Sequence, residues 1–155
     1  MEYNSIFEII GPRMVGPSSS HTAGAARIGG EARALCLGLD LGELTRADIY
    51  LYGSFATTYK GHATDVALVG GLIGLDPADL QITQAFTLAK EKNIQIQIIP
   101  VENEPIPVDE SQPLGENNPH PNTVKIHLHN TKGMLEVVGV SIGGGSFKII
   151  HVQNY

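Results

Sequence analysis

Cysteine is nearly missing from this chain: there is one, Cys36, and tryptophan is absent altogether. A single thiol excludes an internal disulfide and fits a reducing cytoplasm. Basic residues are also scarce. Ten Lys and Arg stand against sixteen Asp and Glu, a net charge of -6 with a pI near 5.4. That balance argues against nucleic acid and anionic membrane as partners, because both require a basic face. Long apolar runs are missing as well. The longest, "VALVGGLIGL" at residues 66–75, falls far short of the ~20 residues that span a bilayer. The opening "MEYNSIFEII" has two acids, no basic residue and no long apolar core. It is therefore not read as a signal peptide.

What is present describes one globular domain over residues 1–155, at 42% hydrophobic and 17% charged. Residues 4–10 read as a short helix, with Ser5 and Glu8 at capping-box spacing. Gly11-Pro12 and Gly16-Pro17 then break the chain twice. A helix is expected from about residue 20 to 37, and a strand at "RADIYLY" with Ala47, Ile49 and Leu51 on one face. "SFATTYKGHATD" reads as a loop or short helical turn, followed by a buried, Gly-rich helix over 65–74. Asp76 and Pro77 predict the start of another helix, with Leu80, Phe86 and Ala89 roughly on one face.

The second half is strand-rich. Ile94, Ile96 and Ile98 alternate strictly, and so do Val124, Ile126 and Leu128 in "TVKIHLHN". "MLEVVGVSI" and "SFKIIHVQ" are joined by Gly143-Gly144-Gly145, which predicts a hairpin. Between the halves runs a loop at 102–121 holding five prolines and five carboxylates without a lysine or arginine. Four or five strands with about four helices give an α+β fold. Its sheet is mixed or antiparallel, with the helices on one face.

Two stretches carry candidate chemistry. In "GPSSSHTAGAARIGG", residues 16–30, a helix start offers unpaired N–H groups and a partial positive charge to an anion. Ser18, Ser19, Ser20 and Thr22 add hydroxyls, and His21 adds a group that changes charge near neutral pH. Behind them Gly24, Gly29 and Gly30, with Ala23, Ala25 and Ala26, would let another backbone approach closely. Each helical glycine costs roughly 1 kcal/mol relative to alanine, so the run implies a packing or ligand constraint. The plainer reading is one capping serine and two loop serines. In "YKGHATD", Lys60 and His62 flank Gly61 just before another helix start, which Thr64 or Asp65 could cap; an exposed turn is the plainer reading there. His127 and His129 share a strand face at a spacing that could chelate a metal, but no third ligand can be placed beside them, so no metal is assigned. His120 lies in a proline-stiffened loop, and Cys36 reads as a buried small hydrophobe.

Taken with "YGSFATTYKGHATDVAL", "NNPHPNTVKIHL" and "VVGVSIGGGSFKI", the stretch "GPSSSHTAGAARIG" resembles the beta chain of the iron–sulfur-dependent L-serine dehydratases, or L-serine ammonia-lyases. The matching motifs run in order over nearly the whole chain. The resemblance implies an alpha-plus-beta enzyme that turns L-serine into pyruvate and ammonia, with a [4Fe–4S] cluster on the alpha subunit. Such a cluster takes about four Cys thiolates, so a chain with one cysteine cannot house it. It also implies a fold similar to the allosteric substrate-binding domain of some phosphoglycerate dehydrogenases.

The candidate roles follow from that resemblance. Ser18, Ser19, Ser20, Thr22 and Lys60 would hold the substrate carboxylate, next to which charge develops when the Cα proton leaves. His62 or His21 would serve as acid or base, or orient substrate. The cluster would supply Lewis-acid help to the leaving hydroxyl. The expected partners are the alpha subunit and L-serine, in a homodimer or heterotetramer. Beta chains of this kind often continue into an ACT regulatory domain after the strand matching "SFKIIHV". The chain ends at Tyr155, so that domain is expected to be absent. The 102–121 loop is assigned to contacts with the alpha chain. Two other functions stay open on sequence: a regulatory module that binds serine or another small acid without taking part in chemistry, and a free-standing anion-binding protein.

Overall fold

The computed structural model describes residues 21–113 and 118–155. The 4–10 helix, the two Gly-Pro breaks, and Ser18, Ser19 and Ser20 lie outside them. The described chain is α+β. Its order is α1 (Ala23–Gly38), β1 (Leu44–Tyr52), α2 (Ser54–His62), α3 (Thr64–Leu72), a 3₁₀ turn (Leu80–Gln84), α4 (Ala85–Glu91), β2 (Gln95–Val101), β3 (Thr123–Asn130), β4 (Gly133–Gly143) and β5 (Ser146–Asn154). The five strands form one mixed sheet in the order β2-β1-β3-β4-β5, in which only β1 and β2 run parallel.

Alternation decides which face is core. Ala47, Ile49 and Leu51 of β1 register with Leu128, Ile126 and Val124 of β3, and Leu135 and Val137 continue the row on β4. All are essentially inaccessible, and burying a large apolar side chain stabilises a fold by about 1.5–3 kcal/mol. The helices contribute Ile28, Ala32, Leu68, Leu72, Ile82 and Ala85 to the same core. The α1 helix seats directly on β4: a Cβ on Gly139 would come within 2.8 Å of Ile28 Cγ2. The hairpin between β4 and β5 turns at Gly144 and Gly145, both at positive φ (62° and 82°), which is the backbone that glycine supplies to a two-residue turn.

Three expectations change. "SFATTYKGH" is a nine-residue helix, α2. Asp76 does not open the fourth helix: it closes a turn onto Ala78 N, and Asp79 is the cap, accepting from Gln81 N at 2.8 Å. Proline and two aspartates in four residues favour this tight turn over regular helix. Leu80 is then 78% exposed and Phe86 37% exposed, and Ile82 and Ala85 join the expected Ala89 on the buried side in their place.

The outer face of the sheet is polar. Glu136 Oε2 pairs with His127 at 2.7 Å and Oε1 with His151 at 3.1 Å, while Asp48 pairs with His129 and Arg46. The two strand histidines thus engage separate carboxylates, and no cluster of three metal-ligating side chains occurs among the described residues. Burial alone would raise the Glu136 carboxyl, but the His127 hydrogen bond and nearby positive charges outweigh it and hold it below its ordinary value. The described part of the long loop folds back over this face. Asp109 pairs with Lys148 at 3.1 Å and accepts from Ser111 N and Oγ. Val138, beneath it, is 2% exposed.

Candidate functional site

The site is built where β1 ends. Gly53 turns the chain at φ 57°, ψ -129°, a conformation that only glycine adopts readily. A Cβ there would lie 2.6 Å from Pro121 O. The close approach is used: Ser54 N, the first N–H of α2, donates to Pro121 O at 2.7 Å. The end of the long loop is thereby tied to the start of α2. Residues 120–123 are held by their own bonds, with His120 Nδ1 accepting from Asn122 N and His120 O accepting from Thr123 Oγ1. His120 therefore carries its proton on Nε2 when neutral.

Two turns later α2 ends at His62. Ala63 follows in the left-handed region, φ 57°, and α3 begins at Thr64. A non-glycine residue in that conformation is held against a cost of about 1 kcal/mol or more, which concentrates at functional sites. Neither Thr64 nor Asp65 is the cap; Ala63 occupies that position without a side-chain bond.

His21 sits just before α1 and meets both ends of α2. Its Nε2 is hydrogen-bonded to Ser54 Oγ at 3.0 Å. Its ring stacks on His62, with centroids 4.6 Å apart and planes at 29°, and contacts Phe55 edge-on at 5.2 Å. The two histidines singled out in the sequence, 41 positions apart, are neighbours. Burial, and secondarily the charge of His62, push the His21 pKa below 6.5, so the ring is neutral at neutral pH. In an NMR titration His21 should therefore titrate below 6.5. His62→Gln should raise that value without restoring it, because burial persists. A His21 pKa unmoved by the substitution would break the electrostatic coupling.

The polar atoms around this pair are under-satisfied. His62 Nδ1, Thr64 Oγ1 and Asn122 Oδ1 are buried without a hydrogen-bond partner among the described residues. Buried orphans are uncommon in native folds. Here they fall at the end of α2, at the start of α3 and in the 120–123 segment tied to Ser54. Thr64 is fully buried. Thr22 is 2% exposed at the N-cap position of α1. Lys60 stands apart from the stack, exposed, with its ammonium over the Tyr59 ring at 5.9 Å. Burial raises the Asp65 carboxyl, and Lys60 is among the groups that oppose that shift. Ser54 and Asn122 were not singled out by residue chemistry, and Thr64 only as a possible cap. Their signal lay in the motifs "YGSFATTYKGHATD" and "NNPHPN", which the fold joins.

Residues 5–151 match the family model for the serine dehydratase beta chain, and the chain belongs to that family. It is 47% identical over 155 residues to the probable L-serine dehydratase beta chain of Bacillus subtilis (strain 168), covering 100% of this chain and 63% of that protein. Against the L-serine dehydratase beta chain of Peptoniphilus asaccharolyticus it is 44% identical over 150 residues, covering 96% and 60%. Against L-serine dehydratase 1 of Escherichia coli (strain K12) it is 33% identical over 139 residues, covering 84% and 30%. The chain thus spans about three fifths of the length of the beta chains it matches.

Proposed function

We propose that this chain completes, with an iron–sulfur alpha subunit, the site that converts L-serine to pyruvate and ammonia. The observation that carries the reading is the His21–His62 stack, whose His62 Nδ1 is buried and unpartnered among the described residues, as are Thr64 Oγ1 two residues on and Asn122 Oδ1 beside the Pro121 that Ser54 binds. Such atoms are satisfied by a polar ligand. The starts of α1 and α2 bear no acidic residue in their first turns. The partial positive charge at the start of α1, with Ser18, Ser19, Ser20 and Thr22, suits the serine carboxylate, and Lys60 adds charge at longer range.

His62 takes the Cα proton and returns it to the hydroxyl, which leaves as water. The aminoacrylate formed tautomerises to an imine, which one water hydrolyses to pyruvate and ammonia. His21, neutral and bonded to Ser54, orients His62 or the substrate.

The residues described do not supply a cluster site. Cys36 is 5% exposed, burial raises its pKa, and Asn130 Nδ2 donates to its Sγ at 3.5 Å. A [4Fe–4S] cluster is accordingly assigned to the alpha subunit. The proposal also includes a cytoplasmic location, residues 1–155 as one domain, and a homodimer or heterotetramer. The structure adds that no described helix is long and apolar enough to cross a membrane. The likeness to the allosteric substrate-binding domain of phosphoglycerate dehydrogenases belongs to the same proposal, and superposition of solved structures tests it.

Anaerobic co-purification with the alpha subunit, followed by a pyruvate assay on L-serine, tests the reading. Activity is expected only in the mixture. Full activity of the alpha subunit alone would overturn it. Deleting residues 105–116 in the same assay tests the long loop as an alpha-subunit contact: undiminished co-purification removes that role.

A further inference from the structure

A cleft of about 320 Å³ opens at the far end of β1 from the histidines. Its walls are Leu44, Leu72, Ile94 and Leu128, and Leu37 stands at its edge, 60% exposed. Nine residues of β1 separate the two ends, about 30 Å at ~3.3 Å per residue. Nothing in the serine chemistry above uses this end of the fold. Small-ligand sites are typically apolar clefts of this size with a few placed polar groups.

The polar groups here are of both signs. Arg33 and Lys92 line the cleft, and neither is in an ion pair among the described residues. Glu43 lines it too, and its carboxylate has no cationic partner there. Asn130 adds an acceptor. Its Nδ2 donates to Leu128 O at 3.0 Å, and its Oδ1 is buried without a donor. The helices α1 and α3 both end at the cleft, and neither has a basic residue in its last turn. The Arg33 guanidinium lies at the end of α3, where a Cβ on Gly74 would come within 3.2 Å of its Cζ, so it faces that helix's partial negative charge, while the end of α1 has no basic side chain in its last turn.

We infer that this cleft binds an α-amino acid with an aliphatic side chain. The side chain would lie on the leucine and isoleucine walls, and the carboxylate would meet Arg33 and Lys92. The ammonium would meet Glu43 and the end of α1, with the Asn130 amide oxygen turned to accept. A plain carboxylate would leave the acceptors unserved, and a plain amine would leave the two cations unpaired. L-Serine has no side chain for the apolar walls.

Calorimetric titration of the full chain with L-valine tests this. L-Valine is expected to bind, with its affinity at least tenfold weaker in Arg33→Ala and in Glu43→Gln. 3-Methylbutanoate and isobutylamine, each lacking one charged group, should bind at least tenfold more weakly than L-valine. His62→Gln and excess L-serine should leave L-valine binding unchanged, which separates this site from the histidine site. Arg33 and Glu43 are exposed side chains, and circular dichroism confirms folding of every variant. No heat of binding with folded protein, affinity undiminished in the Arg33→Ala/Glu43→Gln double variant, or displacement by L-serine would each overturn the inference.

Discussion

In the assembled enzyme, His62→Gln should lower the turnover number about a thousandfold, within the range by which a positioned general acid or base accelerates a reaction. Glutamine keeps roughly the size and some hydrogen-bonding capacity of the imidazole, so the contact with His21 and the fold of α2 should survive. What is lost is a group able to accept the Cα proton. The prediction separates a proton-transfer role from a binding role. Loss of binding common to ground and transition states raises KM and spares the turnover number; loss of proton transfer lowers the turnover number itself. Exchange of the serine Cα proton with deuterated solvent supplies an independent readout and should vanish in the same variant. A turnover number within threefold of the parent, with exchange intact, would assign the proton to another group. His21→Gln should cost much less, about tenfold, because His21 acts through Ser54 and the stacked ring. An unchanged melting temperature in both variants would show that the effect is not loss of structure.

The placement of these two histidines shows what was legible before any coordinates. Strand alternation in β1 and β3 is strong, and it identified the buried row from Ala47 to Leu128 residue by residue. The Gly-rich hairpin was readable because two consecutive positive-φ residues leave few alternatives to glycine. The sequence also picked out His21 and His62, but only as two separate turns. Their contact depends on α2 being a helix. A loop at 54–62 would not carry His62 back over two turns to meet a ring bonded to Ser54. That helix was missed because its composition is weak. "SFATTYKGH" has a serine, two threonines and an internal glycine, all poor helix formers, and it survives because Phe55 and Ala56 are buried and Ser54 N is tied to Pro121. Asn122 and Thr64 were missed for another reason. An unsatisfied buried atom is a property of packing and cannot be read from residue type. The Asp76 cap failed at short range, where two aspartates compete for one helix start and only local geometry chooses between them.

The glycines of α1 and α3 support the remaining large prediction, because they divide sharply. A Cβ on Gly71 would lie 2.1 Å from Ala26 O and 2.6 Å from Gly30 N. Backbone cannot swing aside as a side-chain tip can, so Gly71→Ala must push the two helices apart. Overpacking of this kind costs up to about 3 kcal/mol or more. For a chain of this size that lowers the melting temperature by about 10 °C. Gly29, whose Cβ would meet Leu68 O at 2.3 Å, belongs to the same contact. Gly30 does not: a Cβ there would have nothing within 4 Å. At that position the helix bears the entropic penalty of glycine with no steric reason on its own side, so Gly30→Ala should stabilise by about 0.5–1 kcal/mol. Of the three α1 glycines that suggested close backbone approach, only Gly24 and Gly29 are thus required by contact, Gly24 against Ser141 and Gly29 against α3. Thermal melts of the two alanine variants should move in opposite directions. If Gly71→Ala melted with the parent, the α1–α3 seam would be looser than the geometry requires, and the start of α1 that carries His21 would not be fixed by it.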